Sequence, residues 1–370
     1  MARAWLIGLA TAVVLSTVTL PLRAGAESEV PKGVRDLEVG ALWYLSYQSG
    51  ESSSGDYNKF AIKRGYINVA KRMAPWLDAR ITPDVHQDET GDVKARLKYA
   101  YAKFLISSGG AVFKPWLEFG LVHTPWLDFE EHVDYYRLQD TMFSERNGNF
   151  NSADFGLTFG ALLGGEMGEE YRSAVNNKYP GRYGSFAAGV YNGGGYHAVE
   201  KNENKALEGR LTVRPAPDVV PGLQFSYFGV YGDANLPEDS GVNRDWRFNL
   251  GMVSYENERA TLTGTYTAAT GSQKGSFAGG VPVDALESGG YSFFGELKLP
   301  EYDSSVIARW DHFDPDKDSE GNENDRMIVG YAYHLPTHSM VLLDFERLSY
   351  EDDAMDADWR FQTTVQIHYP

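Results

Sequence analysis

From Asp36 to the C-terminus, apolar and polar residues alternate with a period of two, the pattern of half-buried strands. The last segment shows it most plainly. Trp359, Phe361, Thr363, Val365, Ile367 and Tyr369 fall on one face, and Arg360, Gln362, Thr364, Gln366 and His368 on the other. Leu223, Phe225, Tyr227, Gly229 and Tyr231 alternate likewise with Gln224, Ser226, Phe228 and Val230. Leu207, Gly209, Leu211 and Val213 alternate with Glu208, Arg210, Thr212 and Arg214, and Trp246, Phe248, Leu250 and Met252 with Arg247, Asn249, Gly251 and Val253. Alternation and turn residues together predict about sixteen strands. They lie near 36–48, 57–72, 75–86, 92–106, 112–124, 153–163, 182–192, 206–215, 222–232, 243–255, 258–269, 289–299, 304–314, 326–335, 339–350 and 357–369.

The connections alternate in length. Short ones fall at 256–258, 335–338 and 107–110, and longer polar ones at 49–56, 193–205, 233–242, 270–288, 315–325 and 351–356. With both termini on one side, every long connection but one lies on the opposite side; the exception, 164–181, has no explanation in the alternation. In hydrocarbon every backbone amide must be paired, so a sheet can span only if it closes. The expected fold is therefore all-β: a transmembrane antiparallel barrel with short periplasmic turns and long extracellular loops. Trp43, Tyr44, Trp76, Trp116, Trp359 and Tyr369, at strand ends, suit interfacial girdles. A soluble β-sandwich or propeller also alternates, but the loop asymmetry and the aromatic C-terminal strand favour the barrel.

Composition narrows the choice. A hydrophobic fraction of 42% with 14% aromatics excludes a disordered chain, and the absence of cysteine excludes disulfides and thiolate metal sites. The net charge of -17 argues against general nucleic-acid binding. Residues 1–26 read as a cleaved signal peptide of the general export route: Arg3, an apolar run from Ala4 to Leu22, and the small residues Ala24-Gly25-Ala26. Retained as an anchor, that run is close to spanning length, but Pro21 and the cleavage site favour removal. A short segment, 27–35, then precedes the barrel at 36–370. No later stretch is long and apolar enough for a membrane helix.

Several segments resemble porins of the phosphate-selective porin O/P type: Phe60-Ala-Ile62-Lys63-Arg64-Gly65-Tyr66, Lys98-Tyr99-Ala100-Tyr101, and Gly120 through His123-Thr124-Pro125-Trp126 to Glu130. Ser152-Ala153-Asp154-Phe155-Gly156 and Gly189-Val190-Tyr191-Asn192-Gly193 fit the same pattern. The resemblance implies a sixteen-stranded, homotrimeric channel of the Gram-negative outer membrane, with the loop after the fifth strand folded into the lumen. Its partners would be outer-membrane lipid, including lipopolysaccharide, and small hydrophilic solutes, and it would need no cofactor. Such barrels end in an aromatic residue, whereas here Pro370 follows Tyr369.

Two regions carry candidate chemistry. The loop 125–152 holds Asp128, Glu130, Glu131, Asp134, Asp140 and Glu145 against Arg137 and Arg146, with many aromatics, and is expected to pack inside as a constriction. Between Tyr57 and Lys114 there are eleven basic residues and five acids. There Lys94, Arg96 and Lys98 share one face and Ala95, Leu97, Tyr99 and Tyr101 the other, which puts the basics in the lumen and the apolar set in lipid. The same rule assigns Arg80, Glu208, Arg210, Arg214, Arg247, Arg309 and Arg360 to the pore. A basic wall facing an acidic loop would set up a transverse field and ion selectivity; with both signs present the direction does not follow from the charges, the acidic outer mouth argues for cations, and the resemblance implies a lean to anions such as phosphate. Asp316, Asp318 and Glu320, with Gly321, are weak candidates for a divalent cation, but a calcium loop fails at Met327, where Glu is required. No catalytic motif appears, and Gly193-Gly194-Gly195 lacks the Lys-Ser/Thr of a phosphate loop. An enzyme is not expected, although His123 near Asp128 is kept as a candidate base for an outer-membrane hydrolase. A non-conducting scaffold barrel, filled by a periplasmic or electron-transfer partner, is the other alternative.

Overall fold

A computed structural model of the chain describes residues 36–370 apart from 89, 279, 353 and 370; the expected signal peptide and residues 27–35 lie outside the described part. On the first half of the wall are β1 (Leu37–Ser52), β2 (Gly55–Ala74), β3 (Leu77–Gln87), β4 (Val93–Leu105), β5 (Val112–His123), β6 (Ala153–Leu163), β7 (Gly184–Tyr191) and β8 (Ala206–Val213). On the second half are β9 (Leu223–Asp233), β10 (Asp245–Glu256), β11 (Ala260–Thr270), β14 (Glu287–Leu299), β15 (Ser304–Asp314), β16 (Asn324–His334), β17 (Met340–Tyr350) and β18 (Asp358–Tyr369). Each pairs antiparallel with its neighbour, and β1 closes on β18 from Ala41↔Tyr369 to Glu51↔Trp359. The chain is a closed sixteen-stranded antiparallel barrel.

The faces are inverted relative to a soluble protein. Leu207, Leu211, Phe225, Tyr227, Tyr266, Phe293, Leu297 and Phe361 are exposed on the outside, while Gln224, Ser254, Thr267, Arg309, Asp311, Asp344, Gln362 and Thr364 are buried within. A continuous apolar exterior of this extent is a liability in water and the proper surface in lipid.

Three expectations about the wall need correction. The segment 49–56 is no long loop: β1 and β2 run on to Ser52 and Gly55, and a two-residue turn joins them, with Gly55 at φ +102° where a side chain would be strained. The apolar face of β4 does not all meet lipid. Pro83 has no N–H to give to the β3–β4 ladder, and the register shifts there, Thr82 pairing Tyr99 and Pro83 pairing Leu97, so that Lys98 is an extra residue. Beyond this bulge the faces exchange: Tyr99, Tyr101 and Lys103 turn inward. A second bulge at Lys63, opposite Tyr44/Leu45, brings both Lys63 and Arg64 inside. Third, Tyr44 and Trp116 do not belong to a girdle; Tyr44 is buried in the lumen, and Trp116 faces the Lys103 ammonium at 4.4 Å.

The loop after β5 descends into the barrel and carries two short helices, α1 (Leu127–Glu130) and α2 (Phe143–Arg146). Trp126, Leu127, Phe129, Val133, Met142 and Phe150 form one core with Ala206, Phe228, Val230, Trp246, Phe248, Leu250 and Met252 of β8–β10. Tyr136 and Leu138 form another with Tyr44, Phe294, Ile307, Ala332, Met340 and Leu342. Gly290 allows a close approach: a Cβ there would lie 2.9 Å from the Phe143 ring and 2.2 Å from a wall carbonyl. The connection 164–183, with α3 (Glu169–Ala174), enters from the periplasmic side and reaches the same loop. The outer loop 271–286 adds a hairpin of its own, β12 (Ser276–Ala278) with β13 (Val281–Val283).

The bulge at Lys98 makes a labelling prediction. With single cysteines in β4, a bulky water-soluble maleimide should modify Lys103→Cys and spare Ala102→Cys. The opposite pattern would mean that the strand alternates without interruption.

Candidate functional site

The inward strip along β2–β5 is the most basic part of the lumen. At its outer end Asp84, fully buried, accepts hydrogen bonds from Arg64 (3.2 Å) and Arg96 (3.0 Å). The outer loop after β7 places Tyr196 beside them, with the Arg96 guanidinium 4.8 Å from its ring centre. In the middle, buried Lys98 donates to the Tyr66 hydroxyl at 3.1 Å and lies over the Tyr66 and Tyr99 rings. Arg80 also lies over the Tyr99 ring, at 5.1 Å. Towards the periplasm Lys103 pairs with buried Glu118 at 3.1 Å, and His123 bonds the same carboxylate at 2.9 Å. Lys94 lies at the outer rim, paired with Asp88.

Among the described residues no loop acid forms a direct ion pair with this strip, although Asp128, Glu131 and Glu145 act at longer range on Arg80, Lys98 and Arg64. Asp140 pairs with Arg360 of β18 at 3.0 Å, and Lys63 holds the adjacent carbonyls of Leu138 and Gln139 at 2.9 and 2.7 Å. Asp134 faces Arg309 at 3.9 Å, while Arg146 and Arg309 share Asp311 at 2.8 Å each. Glu131 and Glu145 bind Arg137 of their own loop at 2.8 and 2.7 Å. Asp128 accepts from the Tyr179 hydroxyl at 2.5 Å. Glu130 is buried and accepts from the Trp126 indole at 2.7 Å; burial pushes its carboxyl up to about 8 against the opposing field of Arg309. Most of the loop's charge is thus balanced by the second half of the wall or by the loop itself.

The remaining pore candidates divide. Arg210 is inward and covered: its guanidinium lies between the rings of Phe129 (4.3 Å) and Tyr179 (5.2 Å) and donates to the Pro125 carbonyl. Arg214 is buried beneath the periplasmic connection, over Tyr171 at 4.8 Å. Glu208 is buried, and among the described residues neither of its carboxylate oxygens is hydrogen-bonded. Arg247 is a correction: it lies on the outer face near the upper end of β10, beside Asp245 and the Tyr231 ring, while Trp246, Phe248, Leu250 and Met252 point inward. The loop core gives those four side chains a packed partner that lipid cannot, and a cation near the interface costs only about 0–1 kcal/mol.

Asp316 serves its own turn, accepting from the Asp318 backbone N–H and the Ser319 hydroxyl, and among the described residues no three metal-ligating side chains converge. His123 is committed to Glu118 and lies against the Tyr99 ring, tilted by 31° with centroids 4.0 Å apart; no hydroxyl bonds its imidazole among the described residues. Sequence reasoning passed over Lys63, Arg64, Asp84, Lys103 and Glu118, although Pro83 and Pro115, each beside a register shift, mark where alternation fails.

No protein-family model and no curated protein matches the chain. Solved structures do. OmpF of Salmonella typhi, in complex with daunomycin, aligns over 90% of this chain and 97% of its own, with a TM-score of 0.62 and 9% identity. An anion-selective porin from Comamonas acidovorans aligns over 90% and 99%, with a TM-score of 0.59 and 9% identity. The outer-membrane channel DcaP of Acinetobacter baumannii aligns over 90% and 97%, with a TM-score of 0.53 and 10% identity. The shared feature at such identities is the barrel fold.

Two predictions follow from the loop. Trp246→Ala should cost about 3–5 kcal/mol in urea or thermal unfolding of the detergent-folded barrel, whereas Arg247→Ala should stay within about 0.5 kcal/mol. Because the Glu130 pKa is raised in the docked loop, docking is favoured at lower pH and weakens as pH rises through about 8. Protease cleavage of the loop should increase across that range, and Glu130→Gln should reduce the dependence to the part left by Asp134, whose carboxyl is pushed up by burial to about 6.

Proposed function

We propose that the chain is a porin, a passive diffusion channel for small hydrophilic solutes in the outer membrane of a Gram-negative bacterium, with a lean to anions. A sixteen-stranded barrel is wide enough to hold an aqueous lumen. The observation that carries the reading is the uneven filling of that lumen. Apolar cores occupy the sides along β8–β10 and β14–β17, while the strip along β2–β5 keeps Arg64, Arg80, Arg96, Lys98 and Lys103 with only Asp84 and Glu118 as buried acids. Solutes would pass along this strip, where cations in low-dielectric walls favour anions.

The finer kinship to phosphate-selective porins rests on the sequence segments alone, and phosphate is one anion within the proposed class. A homotrimer belongs to the same reading; the structurally similar OmpT of Vibrio cholerae, with a TM-score of 0.55 and 11% identity, has been solved in a trimer form.

Single-channel recording in a planar bilayer under a salt gradient tests the proposal. Discrete steps with an anion-selective reversal potential are expected, and deleting 137–146 should raise the conductance. Absence of steps from folded, heat-modifiable protein would overturn the open channel in favour of a barrel filled by a partner. Unchanged conductance after the deletion would place the loop off the path.

A further inference from the structure

The middle of the cationic strip proposed as the passage is shut. Lys98 is only 4% exposed, and Tyr66 and Tyr99 beside it are buried, so water scarcely reaches this level. A passage here requires an element that can leave. The wall strands are held by their ladders, and the inward loop by two apolar cores and its ties to the periplasmic connection. The outer segment 193–198, which covers the outer end of the strip, is held by much less. We propose that this segment is a latch, hinged at Gly193 and Gly195 and closed by Tyr196, whose release opens the strip to solutes. This inference rests on the passage proposed above and names the residue that controls it.

Both ends of the segment are fixed. The Asn192 N–H still donates to the Phe155 carbonyl of the wall at 2.9 Å. From Val199 onward the chain is stitched to the next outer loop: Asn235 donates to the Val199 carbonyl at 2.9 Å and accepts from the Lys201 N–H at 2.8 Å. Between these points, among the described residues, only two N–H groups and the Tyr196 hydroxyl bond to the rest of the barrel. Gly193 and Gly195 donate to one oxygen, Asp154 Oδ2, at 2.8 and 3.0 Å. Their φ angles, +91° and +79°, suit glycine alone without strain. The triple glycine that lacks the residues of a phosphate loop thus serves as a hinge.

The tip is seated by one side chain. The Tyr196 ring lies 4.8 Å from the Arg96 guanidinium and belongs to a small core with Tyr99, Leu121 and Ala153. Its hydroxyl accepts from Arg64 at 3.4 Å and donates to Asp84 at 3.5 Å, both at the long limit for hydrogen bonds. His197 and Ala198, which follow, are exposed. Release therefore uncovers one aromatic ring and gives up two good hydrogen bonds. Against that cost, Arg64, Arg96 and Asp84 gain water. Asp84 Oδ1 gains most, being buried and without a hydrogen bond among the described residues, a state that is costly for a carboxylate oxygen.

Single-channel recording and limited proteolysis of the full barrel test the latch. Tyr196→Ala should raise the conductance, and Tyr196→Phe, which keeps the ring over Arg96, should leave it at the wild-type value. Asp154→Ala removes the clamp on the hinge. Losing a hydrogen bond to a charged group shifts the open population about tenfold or more, and chymotrypsin cleavage after Tyr196, identified by fragment mass, should quicken by the same factor because it follows that population. A conducting barrel whose current is unchanged by both Tyr196→Ala and Asp154→Ala, or whose Tyr196 bond resists cleavage in the Asp154→Ala form as in the wild type, would overturn the latch and leave the channel. A barrel silent in every form would overturn the channel instead; cleavage at Tyr196 in the Asp154→Ala form would then still uphold the hinge, and resistance there would overturn that too.

Discussion

An amide N–H or carbonyl left unpaired in hydrocarbon costs several kcal/mol, and the rest of this structure depends on that constraint. It forces β1 to find β18, so that no strand of the wall has a free edge. Once the ring is closed, the outside has one solvent and the inside another, and the alternation along each strand must serve both. The exterior becomes the apolar face. The interior has room for whatever the loops bring to it.

What the loops bring divides the lumen. A descending segment with Trp126, Phe129 and Phe150 requires an apolar wall, and β9 and β10 provide one through Phe228, Trp246 and Phe248. A polar wall requires either water or counter-charge. Along β14–β18 the counter-charge comes from the loop tip, through Asp134, Asp140 and Arg146. Along β2–β5 the few acids belong to the wall itself, which leaves its cations in excess. The field of that excess reaches the nearest loop acids, with Asp128 acting on Arg80 and Glu131 on Lys98.

The barrel was legible because closure imposes one rule on every strand: all sixteen predicted segments overlap observed strands, and the loop with the odd composition is the one that packs inside. The site was legible only in part. Alternation assigns a face correctly until a bulge intervenes, and at Lys63 and Lys98 an extra residue reverses the assignment for everything beyond it. It also assumes that apolar means lipid-facing. Trp246 and Arg247 break that assumption because a protein surface competes with lipid for the apolar face, and the competing surface comes from a segment about a hundred residues away in sequence. Pairing of charges is less legible still, since nothing in the order of residues shows that Asp140 meets Arg360 rather than Arg96.

The hydrogen bond from Tyr179 to Asp128 joins a segment that entered from the periplasmic mouth to one that entered from the outer mouth. Asn176 adds a second tie, to the His132 carbonyl. In mechanical terms the barrel carries an internal cross-brace, anchored to opposite rims and fastened inside the lumen. A hollow tube of this width could flatten under lateral pressure from the bilayer, and the two rims could distort independently. With the brace in place, a strain applied at one rim is carried to the other, so the bore of the tube and its resistance to bending are set by the same few side chains.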